Sequence, residues 1–294
     1  MGKFFSAVRE SIGLFSDNPK LVLPKLIVAF LYSFVFVLSA GFFLDVFQDP
    51  EGTSLLTGIF LLAVESLFML VDLFVNIMFP FMVKQHRSGS GISLRGAFNE
   101  ALKGFLPAAI PVISIFVALA VAAVCWTSVF MVLLYDGSPL LGGMNALLLF
   151  GPVALMIVAA VFAFYLVIPV STIERKGFFG SLSRSLSISL SNWKDVSKAT
   201  VFSFAVSGVS MLLALAINLV SPEDGLVFWA AFIIVRFLTA YIFTYIYVLN
   251  PVFYFSYAAA LYPVNETVAA NANGAANATG AASTSHGKKP KKAS

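Results

Sequence analysis

Residues Leu55–Lys84 read LLTGIFLLAVESLFMLVDLFVNIMFPFMVK, and this stretch decides the fold class. Before its terminal lysine it carries only two charged side chains, Glu65 and Asp72. About 20 consecutive apolar residues suffice for a helix to cross the hydrocarbon core of a bilayer. A soluble helix of this length would keep a polar stripe for water. In Leu55–Lys84 the polar face holds little beyond Glu65, Asp72 and Asn76, too little for a water-facing side, and the stretch therefore predicts a transmembrane helix.

Working outward, five more apolar runs of this kind occur. The six lie at about 21–44, 55–83, 106–135, 144–173, 199–220 and 226–257. Across 294 residues the chain is 60% hydrophobic and 11% charged, with a mean hydropathy of +0.94. Soluble domains carry roughly 25% charged residues, so a water-soluble surface cannot be assembled from this composition.

The connections alternate in character. DVFQDPEGTS (45–54), DGSPLLGG (136–143) and SPEDG (221–225) are short and acidic, with no Lys or Arg. The basic residues gather on the other side. Lys3, Arg9, Lys20 and Lys25 lie in the N-terminal segment, and Lys84, Arg87, Arg95 and Lys103 in the second connection. Arg175, Lys176, Arg184, Lys194 and Lys198 lie in the fourth connection, and Lys288, Lys289, Lys291 and Lys292 in the tail. Arg236 is the one Lys or Arg outside these segments, and it falls within a span. The positive-inside rule then predicts an integral, multi-pass protein with N and C termini cytoplasmic, in the plasma membrane if the source is prokaryotic. The long charged leader and full-length first run argue against a cleaved signal peptide. This asymmetry also accounts for the sequence pI of about 9.1 without nucleic acid as a partner.

The chain also repeats. FFSAVRESIGLFSDNPK from Phe4 aligns with FFGSLSRSLSISLSNWK from Phe178, pairing Phe4/Phe178, Phe5/Phe179, Ser11/Ser185, Ile12/Leu186 and Asn18/Asn192. LRGAFNEALKGFLP from Leu94 fits more loosely, with Leu94, Phe98 and Leu102 where Phe4, Val8 and Ile12 fall. Apolar residues at i, i+4 and i+8 keep to one helical face. The segments read either as interfacial amphipathic helices, with anionic inner-leaflet lipids as partners, or as connectors whose charge fixes topology. Pro80, Pro169 and Pro251 stand near the basic end of the second helix of each unit, as helix kinks or as terminations. The predicted fold is thus an all-α membrane protein. Its six transmembrane helices form three hairpin units (about 1–84, 85–174 and 175–258), each preceded by an interfacial amphipathic helix. A transmembrane domain over 1–262 is followed by a cytoplasmic tail, 263–294. The tail's Ala, Asn, Gly, Ser and Thr cannot form a packed core and predict disorder.

An amphipathic stretch followed by DNPKLVLP (Asp17–Pro24) entering the first span resembles uncharacterised multi-pass membrane proteins of archaea and bacteria. Among these is the membrane domain found beside some glycerophosphoryl diester phosphodiesterases. The resemblance is one of layout over about residues 1–260, without the catalytic domain, and it implies no active-site residue.

Polar residues inside the spans are the functional candidates. Glu65, Asp72 and Asn76 are spaced by 7 and 4 residues and return to within about 20° of one helical face. The last span carries Arg236, Thr239, Tyr247 and Asn250. Glu65 precedes Pro80, and Arg236 precedes Pro251, by 15 residues each. Equal depth predicts an intramembrane ion pair between Glu65 and Arg236, with Asp72 lacking an obvious partner. An ionisable group at mid-membrane costs about 2.5–3.5 kcal/mol, so a lipid-facing position is disfavoured.

One cysteine (Cys125) and two histidines in separate segments supply no metal cluster, and no cofactor or nucleotide motif occurs. No His stands near a membrane serine to activate it, so no catalytic residue is expected and the protein reads as non-enzymatic. Two function classes remain. One is a membrane module that organises or senses lipids or a membrane protein partner. The other is a small transporter or channel using a polar path through Glu65, Asp72, Asn76, Thr239, Tyr247, Asn250 and Arg236.

Overall fold

The structure, a computed structural model, describes residues 2–38, 55–133, 142–220 and 226–258. The acidic connections other than Gly142 and Gly143, the outer end of the first run and the tail lie outside the described residues.

Among the described residues, every regular element is a helix. They form α1 (Lys3–Asp17), α2 (Leu23–Leu38), α3 (Leu55–Arg87), α4 (Leu94–Leu133), α5 (Gly142–Ala163), α6 (Phe178–Ser191), α7 (Trp193–Val220) and α8 (Leu226–Ala258). Six helical stretches are long and apolar enough to cross a membrane: Pro19–Phe36, Gly58–Arg87, Leu94–Val132, Asn145–Glu174, Trp193–Leu213 and Val227–Tyr257. This is a multi-pass α bundle with the six spans that the apolar runs predict.

Burial is unequal along the spans. The core gathers where Leu73–Val83 of α3, Leu166–Ile173 and Val248–Phe255 of α8 meet, near the three prolines. Phe79, Phe253 and Tyr254 are fully enclosed there. Toward the other end, large apolar side chains such as Leu62, Val132, Leu155 and Leu212 face outward. That is an unstable arrangement in water and the expected one in lipid, which solvates apolar side chains as well as a protein core does.

Pro80 and Pro251 lie inside helices that run on past them to Arg87 and Ala258. Pro169 sits instead in a broken stretch. There α5 ends at Ala163, an α turn (Val167–Pro169) and a π turn (Val170–Glu174) follow, and Arg175 closes the segment in the left-handed region at φ 51°. Proline has no N–H, so the carbonyl four residues back, that of Tyr165, loses its helical donor. The Asn250 side chain of α8 takes over: its Nδ2 donates to that carbonyl at 2.6 Å.

The amphipathic segments bury a different face from the one their large apolar residues suggest. In α1 the buried residues are Phe4, Ala7, Ser11 and Leu14, whereas Ile12 is 53% exposed. In α6 Ser181, Ser185 and Ile188 are buried, and Phe179 and Leu186 are exposed. Ala97 and Ala101 of α4 are fully buried, and Phe98 and Leu102 are exposed. The positions aligned at 7, 97 and 181, and at 11, 101 and 185, thus turn a small residue inward each time. Of the apolar stripe Phe4–Val8–Ile12, Phe4 is buried, Val8 packs against the core and Ile12 is exposed. Small side chains let helix backbones approach closely, and the bulky ones are left for lipid. In the middle segment no separate helix forms. Leu94–Leu133 is one helix of 40 residues, about 60 Å long, twice the ~30 Å hydrocarbon thickness.

Candidate functional site

Between α2, α3 and α8 lies a cavity of about 330 Å³ lined by Lys25, Tyr32, Glu65, Asp72, Arg236 and Tyr247, with Thr239 and apolar neighbours. The α2 residues reach it through helical spacing: Lys25, Val28, Ala29 and Tyr32 share one face. From α3, Glu65 and Asp72 lie two turns apart on the stripe that the sequence predicts.

Asp72 has the partner its surroundings in sequence do not supply. Lys25 Nζ donates to Asp72 Oδ1 at 2.6 Å, and Asn76 Nδ2 donates to the other oxygen at 3.2 Å. Lys25 is 5% exposed, and its ammonium also lies 4.0 Å above the Tyr247 ring. Attraction to the ring face adds to the ion pair in a desolvated setting. The expectation of a partnerless Asp72 is therefore corrected. Lys25 is counted by sequence among the topology-setting residues of the leader, but it is the third residue of α2 and projects into the bundle.

The predicted direct pair between Glu65 and Arg236 is likewise corrected. Among the described residues, no ion pair joins them. Tyr32 of α2 mediates instead: its hydroxyl donates to Glu65 Oε1 at 2.8 Å. The Arg236 guanidinium sits 4.2 Å from the centre of the Tyr32 ring and 5.4 Å from that of Phe232. The shared depth inferred from the proline spacing does bring both residues to one cavity, but an aromatic side chain of the first span joins them.

A second cavity, about 290 Å³, lies between α3, α4, α5, α7 and α8. Pro80, Pro251, Asn76, Tyr165, Ser203 and Asn250 contribute to an otherwise apolar lining. Tyr247 lines both cavities. The predicted path residues thus divide: Asp72 and Thr239 border the charged cavity, and Asn76 and Asn250 the apolar one. Pro169 lines neither, although its neighbours Val167 and Ile168 do.

Sequence reasoning also missed Glu174, a buried carboxylate at the basic end. It meets Lys176 at 3.0 Å and Arg184 at 3.4 Å and accepts from the Tyr254 hydroxyl at 2.9 Å. Nearby, Arg87 at the end of α3 forms a bidentate contact with Glu10 of α1. These contacts tie the basic ends of the helices together.

Among the described residues, no group of three or more His, Cys, Asp or Glu side chains could hold a metal ion. No protein-family model, curated protein or solved structure matches this chain.

Proposed function

We propose that the protein is a small membrane transporter or channel, non-enzymatic, whose central site is the charged cavity and whose permeant is a small cation, the proton first among them. One observation carries this reading. Two carboxylates and two cationic side chains, contributed by three spans, border a single cavity within the membrane-crossing part of the fold. Each such group is costly in hydrocarbon, and intramembrane ionisable residues concentrate where ions or protons pass.

The four charges sum to zero, and both carboxylates hold partners that can be exchanged. A cation arriving beside Glu65 competes with the Tyr32 hydroxyl. At Asp72 it competes with Lys25, whose ammonium remains stabilised over the Tyr247 ring. Relay between the two sites, about 10 Å apart along α3, moves the cation along the helix without stranding an uncompensated charge.

The same proposal puts both termini on the cytoplasmic side, as the positive-inside rule requires. It treats the chain as three hairpin units whose small-residue faces pack α1, the start of α4 and α6 against the bundle. Their outward Phe5, Ile12, Leu102 and Phe179 would meet the inner leaflet, beside Arg9, Arg95 and Lys103 for anionic headgroups. Kinship with the multi-pass family resembled in layout belongs to this proposal and supplies no site residue.

Purified protein reconstituted in vesicles, with an internal pH dye and an imposed gradient, tests the reading. The wild type is expected to pass protons well above protein-free vesicles, and Asp72→Asn at least about tenfold more slowly. Equal flux in both proteins, or flux at the vesicle background, sinks it. The outward apolar residues of α1 and α6 favour a second reading, a lipid-organising or lipid-sensing module. That reading expects background flux and an unfolding midpoint that rises with anionic lipid content.

A further inference from the structure

We infer that a polar pocket at the basic end of the bundle binds a phosphate group, carried by an anionic lipid headgroup or by free phosphate. The pocket, about 270 Å³, lies between the start of α1, α6 and the end of α8. Lys3, Arg184, Ser187, Ser191, Asn192 and Tyr257 line it, and among the described residues no Asp or Glu does. Arg184, Ser187 and Ser191 are spaced by three and four residues and so share one face of α6. A guanidinium, an ammonium and two hydroxyls can all donate to one oxyanion, and a phosphate group offers several acceptor oxygens. Two helices begin at this level, α1 at Lys3 and α7 at Trp193, and two end, α6 at Ser191 and α8 at Ala258. Their dipoles offset, so the side chains set the sign of the pocket.

The carboxylates that touch lining residues have partners of their own. Glu174 holds Lys176 at 3.0 Å and the Tyr254 hydroxyl at 2.9 Å, and it meets Arg184 through Nε at 3.4 Å. That contact leaves the terminal nitrogens of the guanidinium for another acceptor, and the Arg184 side chain is 36% exposed. Asp195 accepts from the Tyr257 hydroxyl at 3.0 Å and lies 3.7 Å from Lys198. The Lys3 ammonium sits 4.3 Å above the Tyr257 ring, which positions the charge without neutralising it. Asn192 spends an amide N–H on the Ile188 carbonyl at 3.0 Å.

The aligned amphipathic segments set this pocket apart. Arg184, Ser187 and Ser191 fall where α1 has Glu10, Gly13 and Asp17, and Arg184 falls where α4 has Glu100. In those two segments the carboxylate binds an arginine, Glu10 with Arg87 and Glu100 with Arg175. The third segment holds an arginine instead. A bound phosphate would give it the close anionic partner that Glu174, at 3.4 Å, does not.

Full-length protein in detergent, titrated with phosphatidylglycerol or with phosphatidylcholine of the same chains, provides the test, with bound lipid counted by native mass spectrometry. Both lipids carry a phosphodiester, but choline neutralises it. Phosphatidylglycerol is expected to bind at least about fivefold more tightly. Inorganic phosphate is titrated into the lipid-free protein by calorimetry and, at millimolar concentration, into the lipid complex. Lipid that phosphate displaces marks a site open to both, and lipid that stays assigns the site to the headgroup. Phosphate uptake without a lipid preference assigns it to free phosphate. In each case Lys3→Gln and Arg184→Gln should weaken binding about 3- to 10-fold apiece. Lys194→Gln, which removes an exposed lysine outside the pocket, should leave binding unchanged. A wild type that neither prefers phosphatidylglycerol nor takes up phosphate overturns the inference and requires no variant to fold. So does equal binding by the wild type, Lys3→Gln and Arg184→Gln, or a loss in Lys194→Gln as large as theirs, which is attraction to net charge only. No gradient is applied, so these outcomes are independent of proton passage through the charged cavity.

Discussion

The two cavities share a wall and treat polarity in opposite ways. In the charged cavity, the Asp72 and Glu65 carboxylates and the Lys25 ammonium each have a hydrogen-bond partner, and the Arg236 guanidinium lies over aromatic rings. In the apolar cavity, the only polar groups are neutral and three of their atoms lack partners. Tyr247 lines both, and Asn76, on the apolar side, donates to Asp72 on the charged side. The contrast teaches that ionised groups in this bundle survive by mutual neutralisation, and a fully partnered charge cluster can be opened only by exchange. Neutral groups tolerate incompleteness, because an unpaired amide or hydroxyl costs far less than an unpaired charge.

The largest break in this contrast comes from removing one half of the Lys25–Asp72 pair. Lys25→Met leaves the Asp72 carboxylate, 37% exposed, with Asn76 alone and is expected to cost about 1.5–3 kcal/mol, the value of a hydrogen bond between charged groups. Thermal unfolding in detergent would read this as a large fall in midpoint. The double variant Lys25→Met/Asp72→Leu should recover most of the loss, because an apolar pair of similar volume replaces the ions. If Lys25→Met unfolds like the wild type, Asp72 does not depend on Lys25 in the folded protein, and the charged cavity loses its neutralisation logic.

A smaller break acts on the apolar side. Asn250→Leu removes the donor that serves the Tyr165 carbonyl orphaned by Pro169. The expected loss is about 1–3 kcal/mol, the cost of leaving a buried carbonyl unsatisfied. Adding Pro169→Ala restores a backbone N–H to the same turn. The double variant should therefore be more stable than Asn250→Leu alone, measured by the same unfolding midpoints. An additive or worse double variant would mean that Asn250 acts elsewhere.

How much of this was legible depended on the kind of signal. The spans were readable because twenty or more apolar residues in a row leave few alternatives. Equal depth of Glu65 and Arg236 was readable from their proline offsets, and it does lead to one cavity. The partner of Asp72 was not. Lys25 stands at the start of its run, where basic residues normally set topology, and only its seven-residue spacing to Tyr32 hints that both face inward. The inward face of α1 was not readable from its apolar stripe, because Phe4 is buried and Ile12 exposed along it, while Ala7 and Ser11 are buried beside Phe4 and Leu14. Pairings through Tyr32, or between Asn250 and a carbonyl on another span, depend on interhelical geometry that a one-dimensional pattern does not carry.

The smallest expected effect separates the cavities by sign. Tyr32 and Tyr165 are both membrane tyrosines, one on each cavity. The Tyr32 hydroxyl donates to Glu65 at 2.8 Å, whereas the Tyr165 hydroxyl, with Ser203 and Asn250 as its polar neighbours, forms no well-aligned hydrogen bond. Tyr32→Phe keeps the ring under Arg236 and removes only the donor, so it should destabilise by about 0.5–1.5 kcal/mol. Tyr165→Phe removes a buried hydroxyl that gains nothing from its site, and in detergent it should be neutral or slightly stabilising. Unfolding midpoints of the two variants, measured side by side, should move in opposite directions or by clearly unequal amounts. Equal destabilisation would mean that the Tyr165 hydroxyl is already satisfied in the folded protein. The polarity difference between the cavities would then be one of charge alone.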